Sequence, residues 1–298
     1  MKHQPQPDDG QILSVQPYIW PPFPAAPDEM VTFTAATYEQ VRRDQSFCLE
    51  EVRYWSDGLK VMAYLYRPAT AVGKHLPTII YNRGGYLAED QGWLLAPFFY
   101  RLACAGFVVI APQLRESVGS DGRDEVGGAD IHDIYNLLSL LPSLRYVDMD
   151  NLFMYGESRG GMMTYQAIRD DFPLRAAAVF GAFTSLEALM AEQPEMYQTL
   201  KERVWPHFEA EREMIERRRS ALQWPEQIDV PILIMHGGAD WSVNPRQSLA
   251  MAQKLQEAGK TYSLIIYAED GHILANNQID RDQRAIAWFR HYLIRPDG

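Results

Sequence analysis

A serine between two glycines, Gly156-Glu157-Ser158-Arg159-Gly160, suits one kind of chemistry, attack of a hydroxyl on an acyl carbon. A serine hydroxyl is a poor nucleophile until a positioned base takes its proton, so a histidine and an acid to orient it are required. Both follow in the chain: Asp240 closes Gly237-Gly238-Ala239-Asp240, and His272 closes Glu269-Asp270-Gly271-His272. Small-residue clusters are common in loops, so Gly-x-Ser-x-Gly alone says little. A serine, an acid and a histidine in this order say more, because that is the order in which α/β-hydrolases present their triads. His236 and His291 compete for the role of base, but His272 alone falls on the loop after the last expected strand.

The elements that must position these groups can be read from the apolar pattern. Residues 152–155 form a buried-strand run ahead of Ser158, and residues 162–169 read as a helix behind it, which makes the motif a strand-to-helix elbow. Further strand patterns cover 77–81, 107–111, 176–180, 231–236 and 262–267. Helix patterns cover 93–104, 130–141, 244–259 and 281–293. Strand and helix alternate, the rhythm of a doubly wound parallel sheet. Two β-rich runs, 47–55 and 60–66, flank Ser56-Asp57-Gly58 and predict an N-terminal hairpin. Residues 184–230 are too long for a plain loop and rich in helix formers, so they predict a helical cap over the carboxyl ends of the strands. The expected class is therefore α/β, an α/β-hydrolase fold with a mostly parallel sheet, a hairpin and a cap insertion.

The elbow, the strand-Gly-Gly-x-Asp loop and the Gly-His loop together resemble the catalytic domain of the prolyl oligopeptidase family over residues 50–295, in a stand-alone form without the family's propeller. The resemblance implies a serine hydrolase acting on ester or peptide bonds, with Ser158, Asp240 and His272 as triad. The oxyanion hole is expected from the backbone N–H of Arg159 and from the turn Gly84-Gly85-Tyr86. The family's peptidases often carry a tyrosine where Arg83 stands. Arg83 is expected either to contact a substrate carbonyl or carboxylate, or to pair with Glu89 or Asp90. Trp205 and Trp241 are expected to touch substrate; Met190, Met196, Phe208 and Met214 would line the pocket or fill the cap core.

The 298 residues suffice for one large domain, residues 46–298, after a proline-rich arm, residues 1–45. Tyr18, Trp20 and Phe23 give the arm an apolar strip that must lie on its own body or on a second subunit of a homo-oligomer. A net charge of -11 argues against nucleic acid and anionic membrane as partners. Cys48 and Cys104 read as buried free thiols, and no acidic or histidine cluster has metal-ligand spacing, so no metal or cofactor is expected. No signal-like or membrane-spanning run is visible, which predicts a cytoplasmic protein. Arm and cap would enclose a pocket of small-molecule size, which favours small esters, with short peptides as the alternative substrates and a non-catalytic binding protein as the least favoured reading.

Overall fold

The computed structural model describes residues 5–25, 31–85 and 92–294. Nine strands form one sheet in the order β1-β2-β3-β5-β4-β6-β7-β8-β9. Strands β1 (Ile12–Pro17), β2 (Phe47–Ser56) and β3 (Leu59–Pro68) run antiparallel. From β5 (Val108–Pro112) outward the sheet is parallel, through β4 (Leu76–Asn82), β6 (Val147–Glu157), β7 (Ala176–Phe180), β8 (Ile232–Gly237) and β9 (Tyr262–Tyr267). β3 and β5 join the two parts antiparallel.

The period of two along a strand splits the core into two layers. On β3, Val61, Ala63 and Leu65 face one layer while Met62, Tyr64 and Tyr66 face the other. Helices α1 (Ala35–Arg43), α2 (Gly92–Cys104) and α10 (Gln278–His291) cover the second face, and α5 (Arg159–Arg169) and α9 (Arg246–Glu257) cover the first. The central strands are buried on both sides, as parallel strands under helices must be. Asp57 and Gly58 both have positive φ, 53° and 74°, which is the hairpin turn expected between β2 and β3.

One local expectation is corrected and one element is new. The proline-rich arm contains a strand: β1 pairs with β2 at the sheet edge, where proline is tolerated. The predicted helix at 130–141 is a chain of short turns that includes α3 (His132–Tyr135) and α4 (Leu137–Leu140), interrupted at Asn136. The Asn136 amide donates to Ser56 Oγ on the hairpin, and Gly10 of the arm seats against this stretch so closely that a β-carbon there would stand 2.5 Å from Ser139 Cβ. Of the buried face expected of it, Ile131, Ile134, Leu137 and Leu141 are buried and Leu138 is half-buried.

The arm's aromatic residues lie on the chain's own body. Tyr18 packs edge-on to Tyr64 at 5.7 Å and its hydroxyl accepts from the backbone N–H of Trp93, while Trp20 and Phe23 meet Tyr38. Between β7 and β8, where a cap is expected, lie α6 (Leu186–Glu192), α7 (Pro194–Arg203) and α8 (Phe208–Arg218). Cys48 and Cys104 are free thiols, but neither is buried as expected: Cys48 is half-buried and Cys104, in the last turn of α2, is exposed. Among the described residues no helix is long and apolar enough to cross a membrane.

Candidate active site

The elbow is made by backbone crowding. Ser158 takes φ 50° and ψ -117°, a strained conformation for a residue with a side chain, between the last residue of β6 and the first of α5. Two glycines make it feasible. A β-carbon at Gly160 would stand 1.9 Å from the Asn82 carbonyl oxygen, and one at Gly156 would stand 2.6 Å from the carbonyl oxygen of Gly160. Gly160→Ala therefore has to move β4 or α5, and we expect a loss of more than about 3 kcal/mol in denaturant unfolding. A loss below about 1 kcal/mol would mean that the turn is looser than its geometry.

Ser158 Oγ lies 3.0 Å from His272 Nε2, and His272 Nδ1 lies 2.8 Å from Asp240 Oδ2. With the proton on Nδ1 and facing the carboxylate, Nε2 presents its lone pair to the serine hydroxyl. Asp240 leaves the carboxyl end of β8, and its Oδ1 accepts from the backbone N–H groups of Ser242 and Val243. The His272 loop is braced by Asp270, whose carboxylate accepts from the backbone N–H groups of Asn276 and Asn277. Burial alone would push the Asp240 carboxyl up. Hydrogen bonds from His236 and His272, the charge of His272 and the Val243 N–H overcome it and hold the group well below the usual carboxylate range. A depressed carboxyl contributes stability that is present at neutral pH and lost only as the pH falls below that range.

His236 is not a second base but a second partner of the acid. Its Nε2 stands 3.0 Å from Asp240 Oδ2 and 2.9 Å from the Val243 carbonyl oxygen; both are acceptors, so Nε2 carries the proton and Nδ1 accepts from Ser248 Oγ at 2.6 Å. Nothing in the one-dimensional pattern pointed to this beyond the spacing of four residues across a strand end. His291, in the last turn of α10, has no part in the site.

Two elements stand where the oxyanion hole is expected. Arg159 is the first residue of α5, so its N–H has no intrahelical acceptor and sits at the positive end of the helix. Gly84 passes so close that its β-carbon would stand 3.3 Å from Ser158 Cβ, and Gly85 has φ 73°. Tyr86 lies outside the described residues, as do Glu89 and Asp90. The Arg159 side chain is buried and forked onto Asp124 and Asp130, and it also donates to the Gly85 carbonyl, which ties the glycine turn to the loop after β5.

Arg83 does not line the cavity, contrary to the first of the two expectations from sequence. It is 1 % exposed, turned away from the cavity, and donates to the carbonyl oxygens of Gln113 and Gly84 and to Ser117 Oγ. Burial and the charge of Arg159 lower its pKa to about 10, so it remains a cation at neutral pH. Arg83→Met would leave those acceptors unpaired, and we expect roughly 2–4 kcal/mol of lost stability and an equal fall in rate on neutral and acidic substrates. A selective loss on acidic substrates would restore the binding role.

A cavity of about 590 Å³ opens at Ser158 and His272. Its walls come from α2 (Leu94, Leu95, Phe98), from the cap (Leu186, Leu189, Met196, Leu200) and from Thr32 and Phe33 of the arm. Trp241, 75 % exposed, stands at the rim with its ring 6.4 Å from that of His272. Trp205 is a correction: it is buried under the cap, donates to the Glu125 carbonyl and stacks on the Arg219 guanidinium, away from the cavity. Of the methionine and phenylalanine candidates only Met196 lines the cavity; Met190 and Phe208 are core and Met214 is exposed. Sequence reasoning passed over Glu157 and Tyr81, which line the cavity next to the serine and hydrogen-bond to each other.

The sequence profile of the prolyl oligopeptidase family matches residues 97–295. A Bacillus subtilis protein named as the uncharacterized peptidase YtmA is 25% identical over 245 residues, which is 82% of this chain and 93% of that one. Dipeptidyl-peptidase 5 of Porphyromonas gingivalis is 25% identical over 229 residues, 73% of this chain but 33% of that protein. An acylaminoacyl peptidase of Pyrococcus horikoshii superposes with a TM-score of 0.72 at 18% identity, over 89% of this chain and 45% of that one, and shares the fold.

Proposed function

Because the chain belongs to the prolyl oligopeptidase family, a family of serine hydrolases, we propose that it is a serine peptidase of short peptides and small aminoacyl amides that works through Ser158, His272 and Asp240. The observation that carries this reading is the unbroken contact from Ser158 Oγ to His272 Nε2 and from His272 Nδ1 to Asp240. Peptide rather than ester as the main substrate is a shift from the expectation above, and it rests on the peptidase names of the relatives.

In this mechanism Ser158 Oγ attacks the scissile carbonyl carbon as its proton passes to His272 Nε2. The carbonyl oxygen, now an oxyanion, is held by the Arg159 N–H and the glycine turn at 84–86. His272 returns the proton to the leaving amine, and the C–N bond breaks to give an acyl-enzyme that water hydrolyses by the same route. Asp240 holds the imidazole in one tautomer and stabilises the imidazolium. Trp241 at the cavity rim would stack with the leaving group. Thr32 and Phe33 of the arm and the helices at 184–230 wall the cavity and restrict access, so folded proteins are excluded.

A comparison of kcat/KM for a dipeptide p-nitroanilide, p-nitrophenyl butyrate and a folded protein tests the substrate class. The reading expects peptide anilide turnover at or above that of the ester and none of the folded protein. Turnover of the ester alone would favour the esterase.

A further inference from the structure

Apart from His272, the formally charged side chains around the cavity are Arg101, Glu157, Arg159 and Arg281. Each arginine has a carboxylate partner: Arg159 has Asp124 and Asp130, and Arg101 and Arg281 share Asp282 at 2.5 and 2.9 Å. Glu157 does not. Its hydrogen-bond partner is the uncharged hydroxyl of Tyr81, and among the described residues no cation lies within ion-pair distance of it.

The elbow fixes where this carboxylate stands. Glu157 ends β6 immediately before Ser158. Its Cγ and Cδ each lie 3.3 Å from the point a Gly84 β-carbon would occupy, and Ser158 Cβ lies 3.3 Å from the same point. A negative charge is thus held against the loop that faces the developing oxyanion, in an enclosed site where like charges repel strongly. The buried Arg83 guanidinium acts on it only from beyond ion-pair distance, and the charge left over works against the transition state. A carboxylate with one donor also keeps several lone pairs free.

We infer that Glu157 is the subsite for a protonated amine on the acyl side of the scissile bond. The ligand class is an unblocked aminoacyl or peptidyl substrate whose ammonium, close to the scissile carbonyl, donates to the Glu157 carboxylate. The incoming cation supplies the direct ion pair that Arg83, acting from a distance, does not, so Glu157 selects against N-acylated substrates. This rests on Ser158 being the nucleophile.

The test compares wild type with Glu157→Gln on phenylalanine p-nitroanilide, N-acetylphenylalanine p-nitroanilide and p-nitrophenyl butyrate. The variant is expected to lose about 10- to 100-fold in kcat/KM on the free amine, the range of one charge-assisted hydrogen bond, while the acetylated anilide and the ester gain. An equal loss on all three, or an unchanged preference, overturns the inference. If the variant folds poorly, the wild type alone decides. Butylammonium should compete with the butyrate ester at least tenfold better than butanol, and equal inhibition overturns the inference. A wild type that takes no fluorophosphonate on Ser158 and turns over none of the three overturns the nucleophile assignment, and this inference with it. A wild type that labels at Ser158 without amine preference overturns the Glu157 subsite alone.

Discussion

Asp240→Asn is expected to lower kcat by about 10³- to 10⁴-fold with a smaller change in KM. The size follows from what the carboxylate does. Both oxygens are acceptors: Oδ2 takes His272 Nδ1 at 2.8 Å and His236 Nε2 at 3.0 Å, and Oδ1 takes two backbone N–H groups. An amide cannot satisfy this set, because its NH₂ faces a donor in either orientation. If it turns toward His272, the imidazole takes the other tautomer and presents N–H to Ser158, which removes the base. If it turns the other way, two backbone donors lose their acceptor. A loss below about tenfold, measured as kcat on the dipeptide anilide, would mean that something other than Asp240 orients His272.

Ser158→Ala is expected to remove about 10³-fold or more of turnover while leaving the fold in place. The substitution deletes one oxygen and keeps the β-carbon, so the strained backbone at φ 50° is asked of alanine as it was of serine. Binding and the oxyanion donors survive, which sets the residual rate. Unfolding midpoints of the two proteins should agree to within a few degrees, about what 1 kcal/mol shifts in a domain of this size. Turnover near that of wild type would take Ser158 out of the mechanism.

Much of this was legible in the chain because each feature is set locally. The elbow is written in Gly156 and Gly160, the hairpin in Asp57-Gly58, and the helices between β7 and β8 in the length and helix-forming composition of 184–230. What stayed hidden depends on tertiary neighbours. β1 was masked by prolines that an edge strand tolerates at its end. Arg83 looked like a substrate ligand because a cation beside a glycine turn gives no sign of which way it points; in the fold the loop after β5 offers it Gln113 and Ser117. Trp205 was set among site residues by type, but Glu125 and Arg219 meet it under the cap. Glu157 went unread for the opposite reason: the variable position of a motif acquires meaning only when its neighbours turn out to be a phenol and no ion-paired cation.

The most direct measurement of the central claim is to treat the folded protein with a fluorophosphonate and locate the adduct by peptide mass mapping. The account predicts one stoichiometric adduct on Ser158, lost in Ser158→Ala and slowed severely in Asp240→Asn. A folded protein that takes no adduct, or takes it on another residue, would contradict it.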